Sequence, residues 1–173
     1  MKRQFIIFSI IFGFLFILYV GFLGLYKIGY RFNVTSSLPI GIYKLEKTDK
    51  FTKGDIVEFC LPDNIAQYGR ARGYIFGNRC GNNTLPFAKK ILAVPNDYVV
   101  VNKKGVSVNG VFYSYPQINL DSNNQPVHKY IYQGKIDGYF MIGTNNPKSW
   151  DSRYFGVIPK ERIKGTLHEV FVF

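Results

Sequence analysis

The sequence predicts a mainly β body behind a single apolar N-terminal helix, and three observations carry that expectation. Phe5 to Tyr26 is an uncharged run of 22 residues, longer than the roughly 20 a helix needs to span a bilayer's hydrocarbon. From Gly41 onward, short apolar runs alternate with turns containing Gly, Asn and Asp. Asn109-Gly110 then falls between two alternating runs, a strong signal for a type I′ hairpin. About 147 residues follow the apolar run, enough for one real core. Aromatic residues make up 17% of the chain, most of them Tyr and Phe, which suit strands.

The apolar run has Ser9 as almost its only polar side chain. Met1-Lys2-Arg3 sets positive charge on its short N-terminal side, which predicts a cytoplasmic N-terminus and an exported body. Lys27 and Arg31 on the far side weaken that signal. A cleavable signal peptide would have a shorter apolar core and small residues before its cleavage site. Here Phe22, Leu23 and Leu25 surround Gly21 and Gly24, so an uncleaved single-pass anchor is expected. Residues 1–27 then form the cytoplasmic N-terminus and transmembrane anchor, and residues 28–173 an extracytoplasmic domain.

Along that domain, Ile42 to Leu45 reads as a first strand. The turn Lys53-Gly54-Asp55 leads into a second, Ile56 to Cys60. Residues 63–86 are compatible with a short helix or a surface loop. Phe87 to Val94 is an apolar run interrupted by Lys89-Lys90 and ended by Pro95-Asn96-Asp97. Then come Tyr98 to Val101, Val106 to Val108 and Val111 to Tyr113, separated by Asn102-Lys103-Lys104-Gly105 and Asn109-Gly110. Residues 116–128 are polar and rich in Asn and Pro, as in a loop. Tyr139 to Ile142 and Gly165 to Phe173 are the closing strands. No internal repeat or heptad is present. The pattern is that of a partly closed barrel or a set of coiled sheets.

The net charge is +11, from 22 basic and 11 acidic residues. The bases are scattered and match no nucleic-acid-binding motif, so an anionic lipid surface is the expected partner rather than nucleic acid. Cys60 and Cys80 form no CxxC pair, and with only two histidines neither a metal site nor a cofactor is expected. An even count behind an export-type N-terminus favours a disulfide over two buried thiols. Closing that loop would stabilise the fold by about 3 kcal/mol in the chain-entropy model.

His128 and His168 adjoin no motif, so a Ser-His-Asp triad has little support. The acids are too dispersed for a paired-carboxylate mechanism. A serine nucleophile would then need lysine as its base. Ser37, in the hydroxyl-rich stretch Asn33 to Tyr43, is the candidate nucleophile. A lysine base must be neutral, and at a free pKa of about 10.4 fewer than about one in a thousand is neutral at pH 7. Burial corrects this by lowering the pKa. In a strand Lys89 and Lys90 point to opposite faces, so one can be driven into apolar surroundings, or both can snorkel to water. The pattern does not choose between them.

Asn33-x-Thr35-x-Ser37-x-Pro39-x-Gly41-x-Tyr43 resembles the nucleophile motif of the type I signal peptidase superfamily. The version is nearest to that of the TraF-type peptidases of conjugative transfer systems. Ala88 to Asp97 resembles the family's lysine box, and Ser149-x-Asp151-Ser152-Arg153 to Gly156 its third box. The chain departs at Asn96, where glycine is usual, and at Gly143-Thr144-Asn145, where Gly-Asp-Asn is usual. Asn tolerates a positive φ, so the first turn can survive.

The resemblance implies a LexA-like coiled β-sheet domain and a Ser-Lys serine endopeptidase in the bacterial inner membrane, its catalytic domain periplasmic. It implies Ser37 as nucleophile and Lys89 as general base, with Thr35 joining the Ser37 backbone N–H as an oxyanion hole. Ser149 would orient the lysine, and Asp151 with Arg153 would support that loop. The implied substrates are signal-peptide-bearing precursors, among them a pilin precursor that some TraF-type members cyclise. A housekeeping signal peptidase is the alternative within the enzyme class. A catalytically silent anchored β domain of a secretion or conjugation apparatus is the alternative outside it.

Overall fold

A computed structural model describes residues 2–173, with side chains from Gln4 onward. Met1 and the side chains of Lys2 and Arg3, on which the orientation expectation rests, lie outside the described residues. The apolar run is helix α1 (Lys2–Lys27). Its segment Gln4–Lys27 is the one helix among the described residues long and apolar enough to cross a membrane. At 1.5 Å per residue it is about 36 Å long, beyond the roughly 30 Å of hydrocarbon.

After α1 come β1 (Tyr30–Asn33), β2 (Gly41–Glu46), β3 (Ile56–Phe59), α2 (Asp63–Ala71) and β4 (Phe87–Ala93). The hairpin series is β5 (Tyr98–Asn102), β6 (Gly105–Val108) and β7 (Val111–Tyr113). β8 (Tyr132–Lys135), β9 (Phe140–Ile142), α3 (Ser152–Phe155), a 3₁₀ turn and β10 (Ile163–Val172) complete the chain. The strands form a six-stranded antiparallel sheet in the order β1-β2-β10-β3-β4-β9 and a four-stranded one in the order β7-β6-β5-β8. The mainly β class with one apolar helix is therefore observed. β1 and β8 were not expected, and the undecided stretch 63–86 holds α2.

Two cores share β4 and β9. Ile91 and Met141 belong to a core with Val57, Phe59, Leu61 and Ile158. Ala93, Phe140 and Ile142 belong to a second core with Val99, Val101, Val106 and Val108. Ile91 and Ala93 would face the same way in a regular strand. The β4–β9 register shifts between them, and such a bulge sends the two residues to different cores. The hairpin turn has Asn109 and Gly110 both at positive φ (50° and 86°), as a type I′ turn requires.

Three contacts join the periphery to this frame. The Arg31 guanidinium donates to the Tyr26 carbonyl (2.9 Å) and pairs with the buried Glu58 of β3, fixing the last turn of α1 to the sheet. Cys60 and Cys80 are disulfide-bonded, tying the end of β3 to the segment before β4. Arg72 and Tyr74 both bond Asp121, so the loop after β7 is anchored rather than free.

Candidate active site

Ser37 sits in the loop between β1 and β2. Its neighbour Leu38 is buried, and Tyr43 of β2 donates its hydroxyl to the Pro39 carbonyl (2.7 Å). These contacts hold the turn to the sheet and leave Ser37 half-exposed. Ser36 points elsewhere: its Oγ accepts from the Asn146 side chain (2.8 Å).

Lys89 occupies the middle of β4, between Val57 of β3 and the β9 side of the sheet. Strand alternation separates it from Lys90. Lys89 is 3% exposed, whereas Lys90 faces solvent. Burial pushes the Lys89 ammonium down from 10.5 to about 8; the Asp151 carboxylate pulls it back up and Arg153 adds to the lowering. Roughly a tenth of Lys89 is then neutral at pH 7, about three hundred times the fraction of a free lysine.

The third element is the segment that follows β9. Lys89 Nζ donates to Ser149 Oγ (2.8 Å), and Ser149 Oγ lies 3.1 Å from Ser37 Oγ. Ser37 and Lys89 are thus joined through Ser149; no direct hydrogen bond links them among the described residues. Gly143 makes room for this arrangement, since a Cβ there would stand 2.2 Å from Ser149 Oγ.

The side chains of Ser149, Asp151, Ser152 and Arg153 in the third box are all hydrogen-bonded. Asp151 Oδ2 accepts from the Gly143 backbone N–H (3.0 Å) and Ser152 Oγ from that of Met141 (2.9 Å). Both N–H groups lie on or just beyond β9, an edge strand that would otherwise leave donors unpaired. Arg153 grips Asp151 with two hydrogen bonds of 2.8 Å and donates to the carbonyls of Ser149, Pro147 and Pro116. Asp151 and Arg153 are both fully buried. Trp150 is a packing residue: its ring lies against Tyr68, Tyr74, Phe87 and Phe155. It rests on α2 at Gly69, where a Cβ would meet the indole at 2.6 Å.

Thr35 is exposed, and its hydroxyl donates to Asn33 Oδ1 (2.8 Å). A cleft of about 550 Å³ runs past Thr35, Ser37, Lys89 and Ser149 along the apolar wall Ile75, Phe76, Leu85 and Phe87. It ends at Arg31, Glu58, Arg79 and Tyr26 beside α1. His128 and His168 take no part in it; His168 pairs with Glu46 at the surface. Sequence reasoning assigned no task to Asn33, Gly143 or Tyr43, although all three stand within quoted motifs. An Asn two residues before a threonine at a turn is a recognisable Asx signal, and it went unused. The arrangement can relay a proton from a hydroxyl at Ser37, through a second hydroxyl, to an amine that burial keeps partly neutral.

Comparison with known proteins shows the family. The family description "Signal peptidase, peptidase S26" matches residues 1–172. A probable conjugal transfer protein TraF of Sinorhizobium fredii is 33% identical over 150 residues, covering 84% of this chain and 78% of the relative. A plasmid transfer protein TraF of Escherichia coli is 31% identical over 156 residues, covering 87% and 86%. A probable signal peptidase I-2 of Synechocystis sp. is 34% identical over 86 residues, which is 46% of this chain and 35% of that one. Among solved structures, a signal peptidase I of Enterococcus faecalis V583 superposes with a TM-score of 0.40 and 22% identity, covering 70% of this chain and 98% of that one. The chain belongs to the signal peptidase family, peptidase S26, and is TraF-like within it.

Proposed function

We propose that this chain is a membrane-anchored serine endopeptidase in which Ser37 is the nucleophile and Lys89 the general base. The observation that carries the reading is the hydrogen-bonded line Ser37–Ser149–Lys89, ending on a lysine that is 3% exposed. Ser37 Oγ attacks a peptide carbonyl as its proton passes by way of Ser149 Oγ to neutral Lys89. The tetrahedral intermediate collapses to an ester on Ser37, and the lysine ammonium returns the proton to the leaving amine. Water, activated by Lys89, then releases the acid. The Ser37 backbone N–H and the Thr35 hydroxyl serve the developing oxyanion, a contribution of about 3–4 kcal/mol per donor. Asp151 and Arg153 keep the Ser149 segment in place.

The substrate in this reading is a signal-peptide-bearing precursor exported through the bacterial inner membrane. Residues 1–27 supply a single-pass anchor with a cytoplasmic N-terminus, and residues 28–173 work on the periplasmic face. The disulfide supports an oxidising compartment. Ser37 stands eleven residues beyond Tyr26, a span of at most about 36–40 Å even if extended, so cleavage occurs near the bilayer. The named relatives support a conjugative role, and in this reading the substrate is a pilin precursor. If an amine of the cleaved pilin replaces water at the ester, the product is cyclic.

The test is incubation of membranes holding the protein with candidate precursors. Wild type should cleave, while Ser37→Ala and Lys89→Ala should each lose at least ~10⁴-fold in rate. Cleavage that survives both substitutions would rule the dyad out. The product's mass separates hydrolysis from cyclisation by one water.

A further inference from the structure

One side chain organises the turn that carries Ser37. Asn33 closes β1 opposite Gly41, at the mouth of the loop 34–40. Its Nδ2 donates to the carbonyl oxygens of Thr35 (3.0 Å), Leu38 (3.2 Å) and Pro39 (2.9 Å). Its Oδ1 accepts from the Thr35 backbone N–H (3.1 Å) and from the Thr35 hydroxyl (2.8 Å). The amide oxygen has two acceptor sites and both are filled. Its two N–H hydrogens are divided among three carbonyls, so the side chain is used to capacity. The amide orientation is forced, because exchanging O and N would set donor against donor at Thr35 and acceptor against three carbonyls.

We propose that Asn33 is a positioning residue for peptide cleavage, aiming the Thr35 hydroxyl at the oxyanion. The inference rests on the reading of Ser37 as nucleophile and Thr35 as oxyanion donor. A threonine hydroxyl has one hydrogen to give, and here it goes to Asn33 Oδ1. In this proposal the hydrogen leaves Asn33 and turns about the Cβ–Oγ1 bond toward the developing oxyanion. The oxygen itself stays where the Thr35 backbone, bonded to the same amide, holds it. A full negative charge is a stronger acceptor than an amide oxygen, so the hydrogen transfers its allegiance as charge develops and not before. That is stabilisation confined to the transition state, which raises kcat rather than lowering KM.

No other side chain meets these demands. Aspartate keeps the acceptors but opposes a carboxylate to three carbonyl oxygens. Serine is too short to span the turn, and glutamine adds a methylene that displaces every bond. Tyr43 supports the same turn from outside through Pro39, but makes no bond to Thr35.

The experiment compares steady-state cleavage of one precursor by the full-length membrane protein and its variants. Asn33→Ala should lower kcat by ~10²-fold, the scale of one lost oxyanion donor, with KM changed less than ~3-fold. Thr35→Ala should do the same. In the double variant the Asn33→Ala loss should shrink to within ~3-fold of Thr35→Ala alone, because the two act as one unit. Losses that multiply, or a wild-type kcat in Asn33→Ala, would overturn the proposal. Should Asn33→Ala not accumulate as folded protein, the isosteric Asn33→Asp serves: kcat falls at least ~10-fold with KM held, and wild-type kcat there is equally fatal. Ser37→Ala separates the two levels. Cleavage surviving in it removes the nucleophile reading beneath, whereas its loss beside an unaffected Asn33→Ala removes this inference alone.

Discussion

The two loops that meet at the site are built on opposite principles. The nucleophile loop, 34–40, is largely exposed and is held by a neutral amide whose partners all lie within six residues. The loop leading to α3 is exposed over most of 144–148, but it is buried at Ser149 and Asp151, where a fully buried ion pair holds it. The difference follows from what each loop presents. In the proposed mechanism Ser37 is reached by substrate, and its loop lies open, braced by short-range hydrogen bonds. Lys89 in that mechanism stays partly neutral; it is buried, and the charges beside it come as a matched pair. Asp151 and Arg153 act on the lysine in opposite directions, which leaves desolvation to set its pKa.

The sharpest way to break that comparison is to unbalance the pair. Arg153→Met leaves the Asp151 carboxylate buried without its partner, and the protein should lose about 3–5 kcal/mol, read as a lower denaturation midpoint. Activity that remains should also need a higher pH, since an influence that lowers the Lys89 pKa is gone. A variant as stable as wild type would mean that the pair does not carry the loop.

Lys89→Met should have the opposite sign for stability. Lys89 has a folded pKa of about 8 against 10.5, so the folded state binds fewer protons than the unfolded state between those values. Stability therefore rises with pH across that window, and below pH 8 the full cost of burying the ammonium is present. Removing the charge should stabilise the protein at pH 7 by about 2–3 kcal/mol, while abolishing cleavage. The gain should fade as pH rises through the window. Denaturant titrations at pH 7 and pH 10.5 would check it, and an equal gain at both would contradict the assignment. Lys90→Ala, one residue away on the solvent face, should change stability by less than about 0.5 kcal/mol and leave cleavage intact.

The sequence revealed this site unevenly. Ser37 could be nominated from its local pattern of hydroxyl, Pro and Gly residues, whereas Lys89 and the Ser149–Arg153 box were nominated only through resemblance to the motifs of a family. Strand alternation also told that Lys89 and Lys90 must part. It could not tell which one would be buried, since that depends on β3 and β9 packing on either side of β4. β1 was missed because Tyr30-Arg31-Phe32-Asn33 places a charged residue in the strand, and the carboxylate that pairs with Arg31 is Glu58, 27 residues away. β8 was missed because Tyr132-Gln133-Gly134-Lys135 is polar and is recruited by the β5 edge. The bridging position of Ser149 required a contact across 112 residues, which no local pattern encodes.

The pH dependence of kcat/KM for precursor cleavage tests the central claim most directly, because the base must be unprotonated to act. A buried lysine at Lys89 predicts a rate that rises tenfold per pH unit below about 8 and levels off above it, with the limb moved down by Asp151→Asn. A limb near pH 6.5, as for histidine, or a rate independent of pH from 6 to 9, would contradict it.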